Sequence, residues 1–162
     1  MAYIYPAPGV AGVQATLKVS VAANSAVTPE LTLPALQDVT VNAANDVFTW
    51  TQLDQGSKLQ IATTATNSLS MNIVLDQTAF FGDTGETLGE ADYKGIWGLS
   101  ADKDLIDFEL YLGDTSDAQG QATGKTISGQ GYITGLAPTV SADSPVWVSP
   151  ITITVTGDYT VA

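Results

Sequence analysis

Apolar and polar residues alternate with a period of two along most of this chain. Leu17, Val19 and Val21 are interleaved with Thr16, Lys18 and Ser20, and Leu59 and Ile61 with Lys58, Gln60 and Ala62. Leu69, Met71, Ile73 and Leu75 alternate with Ser70, Asn72, Val74 and Asp76. Successive side chains of a strand point to opposite faces, so each run predicts a strand with one buried and one wet face. The stretch 105–112 (LIDFELYL) is the cleanest case: Ile106, Phe108, Leu110 and Leu112 take one face, and Asp107, Glu109 and Tyr111 the other. Shorter runs lie at Val39 and Val41, at 47–53 (VFTWTQL) with Phe48 and Trp50 on one face, at 125–137 (KTISGQGYITGLA) and at 151–156. The polar stretch 64–67 between two alternating runs predicts a hairpin over 57–76.

One segment departs from this period. After 80–83 (FFGD), Asp83 or Thr84 can cap a helix, and Glu86, Glu90 and Asp92 crowd its early turns, where the helix dipole favours carboxylates. Leu88, Ala91, Gly95 and Leu99 recur at helical spacing, so one short helix is expected within about 85–98. The first thirteen residues, MAYIYPAPGVAGV, hold two prolines and two glycines, which predicts an extended arm over 1–13. Tyr3, Ile4, Tyr5 and Val10 are unsuited to a free tail and make the arm a candidate contact between subunits. The fold class that follows is mainly β: a single β-sandwich or barrel-like domain over 14–162 with one short α-helix.

Composition narrows what such a domain can do. Among 162 residues there is no His, no Cys and no Arg, and seventeen Asp and Glu face five Lys, a net charge of −12. Imidazole bases, thiol nucleophiles, disulfides and thiolate metal sites are thereby excluded. The five lysines are too scattered to form a groove that grips nucleic acid. No cofactor, metal or catalytic residue is expected. With 44% hydrophobic residues the chain is too apolar for a disordered acidic segment. No basic and apolar leader opens it and no apolar run would span a bilayer, so a protein made in the cytoplasm and not inserted in a membrane is expected.

Local motifs add little chemistry. Asp107 and Glu109 share a strand face, but nothing provides the aromatic-lined cleft of a glycosidase. The stretch 114–120 (DTSDAQG) lacks the spacing of a calcium loop, and Gly124-Lys125-Thr126 lacks the earlier glycine of a phosphate-binding loop. Trp50, Trp97 and Trp147 are candidates for a sugar-binding platform or, on the plainer reading, for core or interface anchors.

The segments DLIDFELYLGD, GKTISGQGYITGLAPTV and SADSPVWVSPITITVTGDYTV, in that order, together with VFTWTQLDQGSKLQIATTATNSLSMNIVLDQ, resemble the major tail tube proteins of phages with long, flexible, non-contractile tails. The resemblance spans 47–162 and rests on strand and turn patterns. It implies a β-sandwich with one helix, six copies of which form a ring whose joined inner sheets make a barrel. Stacked rings would form the tail tube of a virion, ended by other tail proteins and crossed by double-stranded DNA that is not specifically bound. Under that expectation Asp107 and Glu109 face the lumen, where an acidic wall repels DNA phosphates. The alternatives are a capsid decoration protein, an immunoglobulin-like adhesin domain, and a carbohydrate-binding module built on the tryptophans.

Overall fold

The computed structural model describes residues 16–22, 31–33, 36–54, 56–64, 66–84, 90–112 and 125–162. The segment 1–13 with Tyr3, Ile4, Tyr5 and Val10, and the Gly-rich stretch 113–124, lie outside the described residues. The elements in chain order are β1 (Thr16–Val21), β2 (Leu31–Leu33), β3 (Leu36–Asn42), β4 (Asp46–Trp50), β5 (Leu59–Thr63), β6 (Ser68–Val74), α1 (Gln77–Phe81), α2 (Glu90–Asp102), β7 (Ile106–Leu112), β8 (Lys125–Leu136), β9 (Thr139–Ser141) and β10 (Ser144–Val161).

The alternating runs do form strands, and they assemble into one sheet in the order β2-β1-β7-β8-β10-β6-β3, with β9 added beside β10. All of its pairings are antiparallel. Its two edge strands, β2 and β3, are joined by only two residues. Three Cα steps span at most about 11 Å, so the sheet must curl until its edges approach at that corner. The result is one open, curled sheet, the barrel-like form of the expected mainly β fold.

Register carries the apolar residues to a common side. Leu17 stands opposite Leu110 and Leu33, Val19 opposite Phe108 and Leu31, and Ile153 opposite both Ile133 and Leu69. With Met71, Ile73, Ile106 and Ile151 these side chains form a core that Phe80, Ala91, Ile96 and Leu99 of the helices close. Each fully buried Leu, Ile or Phe contributes about 1.5–3 kcal/mol, so this face is the main source of stability.

Two helices cover it, where one was expected. Asp76 caps α1: its Oδ1 accepts from the N–H groups of Ala79 at 3.0 Å and Thr78 at 3.1 Å and from the Thr78 hydroxyl at 2.7 Å. The Ala79 N–H and the Thr78 hydroxyl, ahead of a small opposing effect of burial, hold its carboxyl below the usual carboxylate range. A five-residue helix is too short to show a period, so only this cap and the Phe80-Phe81 pair announced it. The second helix runs to Asp102 and is kinked at Gly95, which adopts φ 64° and ψ 179°. Ala91, Gly95 and Leu99 are buried as their spacing predicts, while Leu88 lies outside the described residues.

The hairpin expected over 57–76 is not formed. β5 pairs with β4, and β6 pairs with β3 and β10. The registers Asn42↔Ser68 and Asp46↔Thr63 show why: the separate β4–β5 pair continues the β3–β6 pairing, so the partner of β5 is β4 and not β6. The polar stretch 64–67 is therefore a break between β5 and β6 and not the turn of a hairpin. Apolar alternation marks strands but does not say which neighbour each will choose.

The helices meet at a contact that admits no side chain. A Cβ on Gly95 would lie 2.7 Å from the carbonyl oxygen of Phe80 and also overlap the backbone of Gly82, and both glycines have positive φ. Gly95→Ala is expected to lose about 2–4 kcal/mol through this overlap and the left-handed backbone it would need. Urea unfolding checks it; an unchanged midpoint would mean that the helix pair does not hold this contact.

Candidate functional site

Among the described residues, no layer covers the other side of the sheet. Its rows run Ser20–Asp107–Gln130–Thr156, then Thr32–Lys18–Glu109–Ser128, and Thr40–Ser70–Thr152. Most of this face is hydroxyl or amide: Thr134 and Thr154 share a hydrogen bond at 2.8 Å, and Asn72 Nδ2 donates to both Asp38 carboxylate oxygens at 2.9 Å.

Asp107 and Glu109 lie on this open face, two residues apart on β7. Asp107 is half-buried and its Oδ1 accepts from Gln130 Nε2 at 2.7 Å, whereas Glu109 is exposed and stands opposite Lys18. With Ser20 and Ser128 they line a shallow hollow of about 220 Å³. Glu109 therefore faces a cation in the register, and acid is sparse among the hydroxyls around it. A sharper charge cluster, which the sequence pattern did not reveal, sits on the helical side. Lys94 Nζ contacts Asp104 at 2.6 Å, Glu90 at 3.0 Å and Asp102 at 3.1 Å, and these partners raise its pKa well above the ordinary lysine value. It ties the two ends of the kinked α2 together. The Glu90–Lys94 spacing of four is legible on a helix, but Asp102 and Asp104 come near only because of the kink. Among the described residues no group of three or more carboxylates is placed to hold a metal ion.

Among the described residues, exposed apolar side chains gather in at least two patches. The distal ribbon, β4–β5, is exposed along nearly its whole length. Phe48 stands opposite Ile61 and Trp50 opposite Leu59, so one face carries four large apolar groups, with Phe48 and Trp50 stacked at 6.0 Å. Phe48 is 60% and Ile61 56% accessible. An isolated two-stranded hairpin is marginal in water, and this one gains nothing from its own core. Its neck is secured instead: Tyr159 Oη lies 2.8 Å from Ser68 O and 3.1 Å from Asn42 O, and Asn67 Oδ1 accepts from Ala44 N–H at 3.1 Å.

The second patch is an apolar hollow of about 530 Å³ lined by Val74, Leu75, Gln77, Phe81, Val146 and Trp147. Phe81 sits between two tryptophans, 6.2 Å from Trp97 and 6.1 Å from Trp147. The Leu75 N–H donates to the Trp147 carbonyl at 2.9 Å and fixes the floor. Trp97 and Trp147 thus belong to one aromatic cluster and Trp50 to the hairpin, so the three tryptophans do not form a single platform.

No family model and no curated protein matches this sequence. Solved structures do match in fold. A chain from the tail of an empty GTA particle, refined with C6 symmetry, superposes with a TM-score of 0.58 at 12% identity, covering 90% of this chain and 93% of its own. A chain of the SPP1 tail tube gives 0.59 at 13% identity, covering 91% of this chain and 76% of its own. A chain of the PVC sheath-tube complex, from an extracellular contractile injection system, gives 0.54 at 14% identity over 90% and 87%. The chain has the fold found in these tail and tube assemblies.

Tyr159→Phe tests whether the neck depends on the hydroxyl contact, which joins the end of β10 to the ribbon. A loss of about 1 kcal/mol is expected, with faster amide hydrogen exchange at Ala44 and Ser68 than in the core strands. Unchanged exchange there would show that the neck does not rely on it.

Proposed function

We propose that this protein is a structural subunit of a virion tail, and that it self-assembles into hexameric rings stacked as a tube through which double-stranded DNA leaves. The observation that carries this reading is the likeness in fold, over nine-tenths of the chain, to components of a GTA tail with C6 symmetry and of the SPP1 tail tube. The molecule's own surface supports it. A hairpin with an apolar face and an aromatic hollow are both left uncovered by the described residues of the single chain, as expected of a protein whose working state is an assembly. The role is structural and not enzymatic, its residues 14–162 form the tube, and its arm 1–13 bridges subunits through Tyr3, Ile4, Tyr5 and Val10. Other tail proteins end the tube.

In this reading the open polar face lines the lumen, with Asp107 and Glu109 among its Thr and Ser hydroxyls. Hydroxyls stay hydrated and offer phosphates no lasting ion pair, and the carboxylates repel them. Lys18 beside Glu109 is the counterweight, and the net effect is a wall on which DNA does not stick.

Subunits each carrying −12 repel one another, and salt shortens the reach of that repulsion from about 30 Å at 0.01 M to about 8 Å at 0.15 M. Raising salt is expected to drive the purified protein into rings or tubes, read by light scattering and negative-stain microscopy. A monomer from low to high salt at high protein concentration would overturn the assembly reading.

The lumen assignment has its own test. Asp107→Lys with Glu109→Lys is expected to fold and assemble, since neither side chain enters the core, yet particles carrying it should release DNA several-fold more slowly. Unaltered release from intact mutant tails would count against a lumenal position for this face.

A further inference from the structure

The aromatic hollow lies close to the point from which the segment 1–15 departs. β1 begins at Thr16, and Leu17 stands opposite Leu33 of β2. Three residues further on, Leu36 stands opposite Ile73, the neighbour of the hollow residue Val74. Paired Cα atoms are about 5 Å apart and three Cα steps span at most about 11 Å, so Leu17 lies within about 22 Å of Ile73. Helix α1, which supplies Gln77 and Phe81 to the hollow, packs on β2 as well. An extended chain reaches about 20 Å from Thr16 back to Val10 and about 36 Å back to Tyr5. The hollow is therefore within reach of the same chain's arm.

Chemistry matches the two. Val74, Leu75, Phe81, Val146 and Trp147 line the hollow, with Gln77 the one polar side chain among them. Residues 1–17 carry no charged side chain, and the stretch 3–8 (YIYPAP) joins two tyrosines and an isoleucine to two prolines. Proline fixes φ, so such a stretch loses less entropy on docking, and aromatic-lined grooves are its usual receptors. The longer stretches that also lie outside the described residues, 23–30, 85–89 and 113–124, contain no aromatic residue. Tethering decides between the chain's own arm and another copy's. A short tether holds its ligand at an effective concentration in the millimolar range, whereas separate copies each carrying −12 repel one another at low salt.

We infer that in the unassembled chain the arm folds back past the β2–β3 corner and seats Tyr3, Ile4 and Tyr5 in the Phe81–Trp147 hollow of its own chain. The contact is a cap: it covers the apolar hollow and occupies the arm's own apolar side chains. An arm that bridges subunits has first to leave this hollow, so capping and assembly compete for the same residues. The cap concerns the single chain and stands apart from the tube reading; only its role as a restraint on assembly rests on that reading.

The absence of cysteine makes the test clean. Two double variants, Tyr5→Cys with Val146→Cys and Tyr5→Cys with Thr32→Cys, are oxidised at low salt and high dilution, where sedimentation shows single chains. Val146 lines the hollow, while Thr32 is exposed opposite Lys18 on the polar face and nearer the arm's root. An arm without a seat meets Thr32 at least as often as Val146. The expected result is an intrachain disulfide that forms several-fold faster with Val146 than with Thr32, at a rate independent of protein concentration. Equal rates, or a faster Thr32 reaction, would overturn the cap. Disulfide-linked dimers in place of the intrachain product would also overturn it, by putting the arm on another copy. A second readout needs no cross-link. In a Trp50→Phe background, Tyr3→Ser, Ile4→Ser and Tyr5→Ser together are expected to shift the Trp97 and Trp147 emission several nanometres to the red. An unshifted spectrum would equally overturn the cap. Both measurements use single chains, so their failure leaves the tube reading to the salt-driven assembly that tests it.

Discussion

A β-strand can bury one face in a single layer of helices, and among the described residues α1 and α2 supply that layer. Everything else follows from how those two short elements are made to suffice. They approach through Gly82 and Gly95, where no Cβ fits, so that Phe80, Ile96 and Leu99 reach the sheet. The kink at Gly95 lets one helix follow the curl of the sheet, and Lys94 gathers Glu90, Asp102 and Asp104 to hold both halves in place. Among the described residues, no element covers the opposite face. It is accordingly built of Thr, Ser, Asn and Gln, with Asp38, Lys18, Asp107 and Glu109 among them.

The same economy explains the apolar surface. The β3–β6 ladder belongs to the core, but its continuation, β4–β5, runs beyond the last core residue and carries Phe48 and Ile61 into solvent beside the half-buried Trp50 and Leu59. At the other end the helices reach Trp147 through Phe81 but leave Phe81, Trp97, Val146 and Trp147 about half exposed. For a monomer these would be an aggregation hazard. For a subunit they are directional, because two unlike patches at opposite ends define an axis. In the proposed assembly the net charge of −12 would act as a brake that solution conditions can release.

Much of this was legible in the residues. Period-two alternation located most of the strand segments, though not β2, β9 or the first part of β10, and it set Asp107 and Glu109 on one face of β7; helical spacing identified Ala91, Gly95 and Leu99. What alternation does not encode is partnership. β5 has the same pattern whether it pairs with β4 or with β6, and the neck contacts of Asn67 and Tyr159 that accompany the observed pairing join residues far apart in sequence. The first helix escaped because five residues cannot show a period of 3.6, although Asp76 two and three residues ahead of Thr78 and Ala79 was a cap in plain view. The aromatic hollow and the Lys94 cluster are products of tertiary folding. Trp97 and Trp147 are fifty residues apart and meet only through Phe81.

The account stands on one claim: this acidic, apolar-ended chain works as a repeated subunit whose open polar face surrounds a channel. Cryo-electron microscopy of the purified protein assembled at high salt tests it most directly. The account predicts stacked six-fold rings with Thr154, Gln130, Asp107 and Glu109 lining the central channel and the α1–α2 layer away from it. Particles that remain single chains, or a tube whose channel is lined by the helices with the Thr and Ser face turned outward, would contradict it.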